Sequence, residues 1–328
     1  MNSSEIGHID HHTLNDAWNS ERMQEVRRQV AAGKYQEAGC SPNCSYFQTP
    51  QEQRGNYNTA LRSIWEKVDP DKKTYHDNIA LLLEGHRRSS CTIASFPVFF
   101  DIQPTEACNM NCIMCHQKHQ TAAIIPAEKL MKLFAHLEVV HTIRFQGGEV
   151  FLDKDFPAAV ASLQHRMHPF QRIQIITNGS LLTQTIIHDL TGGPNPVRFI
   201  VSIDATEPDV FKKIRRSPHF SQVWDNLLTL AARQKASGKT DLVEWNFVVM
   251  KTNFFQIKDA IQKAADLAVS IRFNPIIGDY PGENIFNFPD IVPEKAAEYL
   301  EGCLQFVRSC KARVNNLEQL PHKLAMCK

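Results

Sequence analysis

No stretch of this 328-residue chain approaches the roughly 20 consecutive apolar residues that a membrane-spanning helix needs. Charge of one sign is equally scarce. The 36 Lys and Arg stand against 35 Asp and Glu, which leaves no global basic field for nucleic acid and no acidic tail. The opening residues, Met1-Asn-Ser-Ser-Glu-Ile, lack the charged and apolar regions of a secretory signal, and a cytoplasmic location is the expectation. Histidine is plentiful, but His11, His12, His116 and His119 have no metal-ligating partners at helical spacing. What the chain does have is cysteine. Nine of them, in a chain read as unexported, argue against a disulfide framework and for metal or redox use. The length suffices for one main domain with extensions.

Three cysteines lie close together in the run Asp101-Ile-Gln-Pro-Thr-Glu-Ala-Cys108-Asn-Met-Asn-Cys112-Ile-Met-Cys115-His116. Thiolates so spaced, directly after an extended apolar run, can hold three irons of a cubane cluster and leave the fourth iron open to a ligand. The alternative is a zinc site built on Cys112 and Cys115. It would leave Cys108 unused and has no second ligand pair at zinc-finger spacing.

Downstream, extended and helical patterns alternate. Strands are expected at Val98–Gln103, Thr142–Gln146, Ile173–Thr177, Arg198–Ser202, Val243–Met250 and Ser270–Pro275. Helical patterns separate them: one from Pro126 with Leu130, Leu133, Phe134 and Leu137 in a stripe, then Phe156–Met167, Leu181–Leu190, Asp209–Lys213, Phe220–Lys235 and Gln256–Ala268. Six such repeats predict an α/β fold in which a parallel sheet curls into a partial (β/α)6 TIM-like barrel. Trp245 and Phe247 face either the barrel interior or the helix layer. Gly147-Gly148-Glu149, Asn178, Ser202 and Asp204 all fall at carboxyl ends of strands, the edge where ligands bind in open parallel barrels. Gly147-Gly148 alone also fits an ordinary tight turn.

The spacing C-x3-C-x-Φ-C, with Met114 before the last cysteine, and the Gly-Gly-Glu one helix and one strand later resemble the radical S-adenosylmethionine (radical SAM) superfamily. The resemblance covers about residues 95–285. It implies a [4Fe–4S] cluster on Cys108, Cys112 and Cys115. By the same resemblance Gly147, Gly148 and Glu149 grip the ammonium of S-adenosylmethionine (SAM), Ser202 and Asp204 its ribose, and Arg215 its carboxylate, with Asn178 on the same edge. Arg215 and Arg216 are not distinguished by sequence, and either fits a solvated surface charge.

The first 94 residues do not fit the barrel and read as a helical extension, with residues 286–328 a C-terminal helical segment. Trp18–Val30 is an amphipathic helix that stops near Gly33, and Thr49-Pro50-Gln-Glu52 opens a second carrying Tyr57, Leu61, Ile64 and Trp65. The string Trp18-Asn-Ser-Glu…Arg27-Arg28, with Cys40 and Cys44 after it, resembles the end of a SPASM domain, here placed before the barrel. An auxiliary iron–sulfur cluster on Cys40, Cys44, Cys310 and Cys327 is weighed against buried, inert cysteines. Cys303 and Cys310 are placed two turns apart on a helix Glu294–Arg313.

The resemblance implies reductive SAM cleavage to a 5′-deoxyadenosyl radical, with flavodoxin or ferredoxin as reductant. The SPASM-like string favours a ribosomally made peptide as substrate, to be epimerised or crosslinked. Cys303 is then the candidate hydrogen donor for epimerisation, from beneath the barrel opening. A sugar or small-molecule dehydrogenase is the alternative within the family. A non-catalytic metal-stabilised binding module, which would give the strand-end residues no reason to cluster, is the alternative outside it.

Overall fold

The computed structural model describes residues 6–40, 62–117 and 123–326. Contacts divide the chain into two units, residues 1–100 with 128–142, and residues 101–127 with 143–328.

In the first unit α1 (Leu14–Trp18) and α2 (Glu21–Ala31) replace the single expected helix Trp18–Val30. The break is local chemistry. Ser20 leaves helical geometry and caps α2 by accepting from the Met23 amide, while Thr13 and Asp16 form a capping box on α1. The SPASM-like string has structural partners here. Trp18 Nε1 donates to Ser95 O at 3.0 Å, the Asn19 amide to Ile93 O at 2.9 Å, and Arg27 to Cys91 O at 2.9 Å. The Arg27 guanidinium also lies 4.6 Å from the Trp18 ring centre. Helix α3 (Lys73–Arg87) buries Tyr75, Ile79 and Leu82. Residues 41–61, which include Cys44 and most of the second expected helix, lie outside the described residues, as does Cys327.

The second unit is organised by a seven-stranded sheet in the order β1 to β7 without crossover. The strands are β1 (Phe99–Thr105), β2 (Thr142–Gly147), β3 (Arg172–Thr177), β4 (Arg198–Ser202), β5 (Val243–Val249), β6 (Ser270–Pro275) and β7 (Arg313–Asn315). Neighbours from β3 to β7 pair in parallel. Helix α4 (Ala127–Met131) belongs to the first unit from Glu128 on. Among the connections within the second are α5 (Phe156–Arg166), α6 (Gln184–Gly192), α7 (Pro208–Arg215), α8 (Phe220–Ser237) and α9 (Ile257–Asp266). This is the expected partial TIM-like architecture, with one strand more. The expected helix Glu294–Arg313 is α10 (Ala296–Ser309), and Arg313–Asn315 pairs with Ser270–Arg272 as β7. Cys310 is already extended at the C-cap of α10, and a three-residue strand with no apolar run leaves no periodic signal. Helix α11 (Gln319–Met326) follows.

The sheet has two chemically distinct faces, as its period of two requires. Ile143, Phe145, Ile173, Ile175, Phe199, Val201, Val243, Trp245, Phe247, Ile271 and Phe273 are all buried towards the helices. Trp245 and Phe247 thus belong to the helix layer, Trp245 meeting Trp224 of α8 at 5.5 Å and Phe247 meeting Phe273 at 5.4 Å. The inner face is mixed, with Ile176, Ile200 and Val248 among charged and amide side chains. Arg144 pairs there with Asp101, and Arg198, Arg272 and Asn315 all contact Glu244.

Candidate active site

All three clustered cysteines sit on the loop after β1, over the carboxyl ends of the strands. Packing against β2 explains the two glycines. Gly148 N donates to Thr105 O at 2.8 Å and Glu149 N to Ala107 O at 2.7 Å, so the end of β2 lies directly on the segment leading into Cys108. A Cβ on Gly148 would stand 1.9 Å from Ala107 O. Gly147 has φ +126, and a Cβ there would come 2.4 Å from Thr105 O. Both positions need glycine because backbone meets backbone.

Two of the three sulfurs, those of Cys108 and Cys112, face hydrogen-bond donors. Asn178 Nδ2 lies 3.8 Å from Cys108 Sγ and Met110 N lies 3.5 Å from it, while Arg215 Nη1 is 3.6 Å from Cys112 Sγ. Asn178 is itself fixed. Its amide donates to Asn109 Oδ1 at 2.8 Å, and its Oδ1 accepts from the Ser180 amide and hydroxyl at 2.9 and 2.7 Å. The loop is anchored on α7 by Ile113 N donating to Ile214 O, and from above by the Tyr280 hydroxyl donating to Met114 O at 2.7 Å. Burial pushes the Cys108 and Cys112 thiols up, against the pull of Met110 N on the first and of Arg215 on the second. Loading a metal therefore has to displace protons, and the donors around the sulfurs favour the thiolates that result.

Behind the loop lie two carboxylates with no exposed surface. Glu149 accepts from the Thr177 hydroxyl at 2.8 and 3.0 Å, from Asn178 N at 2.8 Å and from Phe151 N at 3.3 Å. Burial pushes its carboxyl up to about 7 even so. Asp204 accepts from Val248 N and pairs with Arg215 Nη2 at 2.6 Å. Burial raises the Asp204 carboxyl. It also opposes the charge on Arg215, yet Asp204 and Cys112 together hold that guanidinium above its ordinary pKa.

Gly147, Gly148, Glu149, Asn178, Asp204 and Arg215 are thus gathered around the cysteine loop, and Ser202 ends β4 two residues before Asp204. The structure separates Arg215 from Arg216. Arg215 is buried and directed at Cys112, whereas Arg216 caps α7 at φ +50 and is exposed. Asn109, Thr177 and Ser180 escaped the sequence reading. Asn109 and Thr177 are direct neighbours of Cys108 and Asn178, so the only signal was adjacency. Tyr280 lies in the loop Gly278-Asp-Tyr-Pro-Gly-Glu-Asn, which the sequence places at the border of the barrel mouth.

Cys303 is fully buried in α10, and its polar neighbours are Tyr299 and Lys258 of the helix layer rather than the cysteine loop. Its expected place beneath the barrel opening is not where the fold puts it. Cys310 is half-buried at the end of the same helix, and Cys40 is half-buried in the first unit.

The residues fit an iron–sulfur cluster with a chelated ligand. Three cysteines share one loop, and Arg215 Nε is buried with no hydrogen-bond acceptor among the described residues. An additional acceptor bound beside Cys112 would satisfy it. Among the described residues no three His, Cys, Asp or Glu side chains close around a single metal ion.

Residues 102–243 match the model of the Radical SAM superfamily. The GTP 3′,8-cyclase of Limosilactobacillus fermentum is 27% identical over 180 residues, 52% of this chain and 52% of that protein. The antilisterial bacteriocin subtilosin biosynthesis protein AlbA of Bacillus subtilis is 24% identical over 220 residues, 62% of this chain and 47% of that one. The chain therefore spans about half the length of these curated relatives. In fold it is similar to Streptococcus suis SuiB bound to the precursor peptide SuiA, with a TM-score of 0.51 and 15% identity over 92% of this chain and 64% of that one. It is also similar to anSMEcpe with bound AdoMet, with a TM-score of 0.51 and 17% identity over 71% and 67%. Radical SAM enzymes use a [4Fe–4S] cluster and SAM.

Proposed function

Residues 102–243 are a radical SAM domain, the catalytic domain of an enzyme superfamily, and from that premise we propose that this chain modifies a ribosomally made peptide by hydrogen abstraction. When bound, the cluster and SAM supply a 5′-deoxyadenosyl radical. Cys108, Cys112 and Cys115 would hold the cluster. Asn178, the Met110 amide and Arg215 offset the charge of the thiolates of Cys108 and Cys112 through the contacts given above. Arg215 has a guanidinium N–H to spare for a carboxylate, and Asp204 keeps that side chain charged and aimed. Gly147 and Gly148 bring the end of β2 against the cysteine loop, and Glu149 ties that end to Thr177 of β3 and to Asn178 just after it. The loop after β6 closes over the cysteines through Tyr280 and helps exclude water. Flavodoxin or ferredoxin is the proposed reductant.

The observation that carries the catalytic reading is the placement of three cysteines on one loop, with a buried arginine and Asn178 against two of their sulfurs, at the ligand-binding edge of a parallel sheet. Anaerobic reconstitution tests it. Wild-type protein is expected to take up about four irons at this site and to yield 5′-deoxyadenosine when reduced with dithionite in the presence of SAM. The Cys108→Ala/Cys112→Ala/Cys115→Ala variant is expected to lose both properties. Zinc in place of iron after anaerobic purification would overturn the reading.

The peptide assignment draws on fold likeness to a structure holding a precursor peptide and on the relative named for bacteriocin biosynthesis. Coexpression with neighbouring small open reading frames in deuterated water distinguishes the outcomes by mass. One added mass unit per site with D-residues means epimerisation, and loss of two hydrogens means a crosslink. No change in any neighbouring peptide would favour the second reading, a small-molecule substrate, which the likeness to GTP 3′,8-cyclase supports.

A further inference from the structure

On the inner face of the sheet four side chains form a directional chain that ends on Ser202, the expected ribose contact, and otherwise leads away from the cysteine loop. Asn316 Nδ2 donates to Asn274 Oδ1 at 3.2 Å, Asn274 Nδ2 to Asn246 Oδ1 at 2.6 Å, and Asn246 Nδ2 to Ser202 Oγ at 3.5 Å. The ladder runs from just past β7 through β6 and β5 to the end of β4, two residues from Asp204. Asn316 follows β7 at φ +67, a left-handed conformation that asparagine tolerates better than most residues. Strand alternation sets the direction of these amides. Trp245, Phe247 and Phe273 are fully buried towards the helices, whereas Asn246 and Asn274 beside them in the strands are only half-buried.

A carboxamide has two N–H donors and an oxygen with two lone pairs. Asn246 and Asn274 each spend one donor and one lone pair on the ladder and keep one of each for a ligand. The cations of this face are already committed. Arg144 is held by Asp101, Arg172 by Asp241, Arg198 and Arg272 share Glu244, and Arg313 donates to the Thr240 and Ala268 carbonyls. A surface of paired donors and acceptors, with its arginines held on carboxylates and backbone carbonyls, complements an uncharged amide and offers little to a polyphosphate.

We propose that the three asparagines of this ladder, Asn316, Asn274 and Asn246, are the substrate subsite of this barrel beside Ser202, and that they take the backbone amides of a peptide rather than a phosphorylated nucleotide. The proposal rests on the radical SAM reading and names the substrate class at that same site.

Calorimetry on anaerobically reconstituted, SAM-loaded, unreduced protein tests it. The probes are a pool of N-acetylated, C-amidated hexapeptides of mixed sequence and, separately, GTP. Saturable binding of the peptide pool and none of GTP is expected. Asn274→Leu, which removes two ladder bonds, should weaken the peptides by about fivefold to tenfold, the scale of one or two net hydrogen bonds. Asn274→Asp, of the same size but without the amide donor, should weaken them as well. Both variants should keep iron content and SAM affinity, which separates a lost subsite from a misfolded one. Binding of GTP in preference to peptide, absence of peptide binding to wild type, or unchanged peptide affinity in both variants overturns the proposal. Failure of the wild type to hold iron or SAM would instead defeat the radical SAM reading beneath it.

Discussion

Glu149 is enclosed by its own sheet, yet its carboxyl titrates near neutrality because burial outweighs the hydrogen bonds from Asn178, Thr177 and Phe151. Its folded value of about 7 lies above the ordinary 4.5, so folding favours the protonated acid. The stability this preference contributes is complete below about 4.5 and is lost as pH rises through about 7, on the order of 3 kcal/mol in total. Urea unfolding of cluster-free protein should therefore show stability falling across that window, and Glu149→Gln should flatten the fall. Identical pH profiles for the two proteins would refute this account. Arg215 poses the opposite problem, since removing it strands a buried carboxylate. Arg215→Leu is expected to cost about 3–5 kcal/mol. Adding Asp204→Asn should recover part of that loss, and simple additivity of the two costs would show that the pair is not coupled.

At the scale of elements, what positions the chemistry is the contact between the end of β2 and the loop after β1. Gly148→Ala places a methyl group on the Ala107 carbonyl, where backbone has to give way. The variant should lose more than about 3 kcal/mol of stability and fail to take up iron. Iron uptake at wild-type level would mean that the loop adapts. The brace from above is gentler. Tyr280→Phe removes a single hydrogen bond to Met114 O and leaves the ring in place. Global stability should fall by only about 1 kcal/mol, while amide exchange across Cys112–Gln117 in cluster-free protein speeds up. Unchanged exchange in that segment would rule out an anchoring role.

Across the whole molecule, stability and chemistry are divided between the two faces of one sheet. The helix-facing side is apolar and closed, and Trp245 is its largest fully buried side chain. Trp245→Ala should cost about 3–5 kcal/mol in urea unfolding, with iron binding by the folded fraction retained. The inner face is charged near the start of the strands and becomes amide-rich towards their carboxyl ends. Polar groups there cost little because they pair with one another across strands. Glu244 alone serves Arg198, Arg272 and Asn315.

Periodicity and spacing by themselves determined the α/β class, six strands close to their true bounds and the cysteine triad. These are local properties: alternation of apolar residues is written residue by residue, and three thiols within eight positions must share one loop. The order of the sheet also followed, because short right-handed connections leave few alternatives. Only the tertiary structure decided the rest. It separated Arg215 from Arg216, which are neighbours in the chain and differ only in which one the end of α7 turns inward. It showed that Gly147 and Gly148 are required by a backbone more than 40 residues earlier, a contact with no trace in local pattern. It added β7, whose three residues pair only because β6 is already there. It moved Cys303 into the helix layer, because α10 packs on α9 and α11 rather than under the strand ends. Contacts distant in sequence select one of several locally equivalent side chains, and that selection is what a single sequence does not contain.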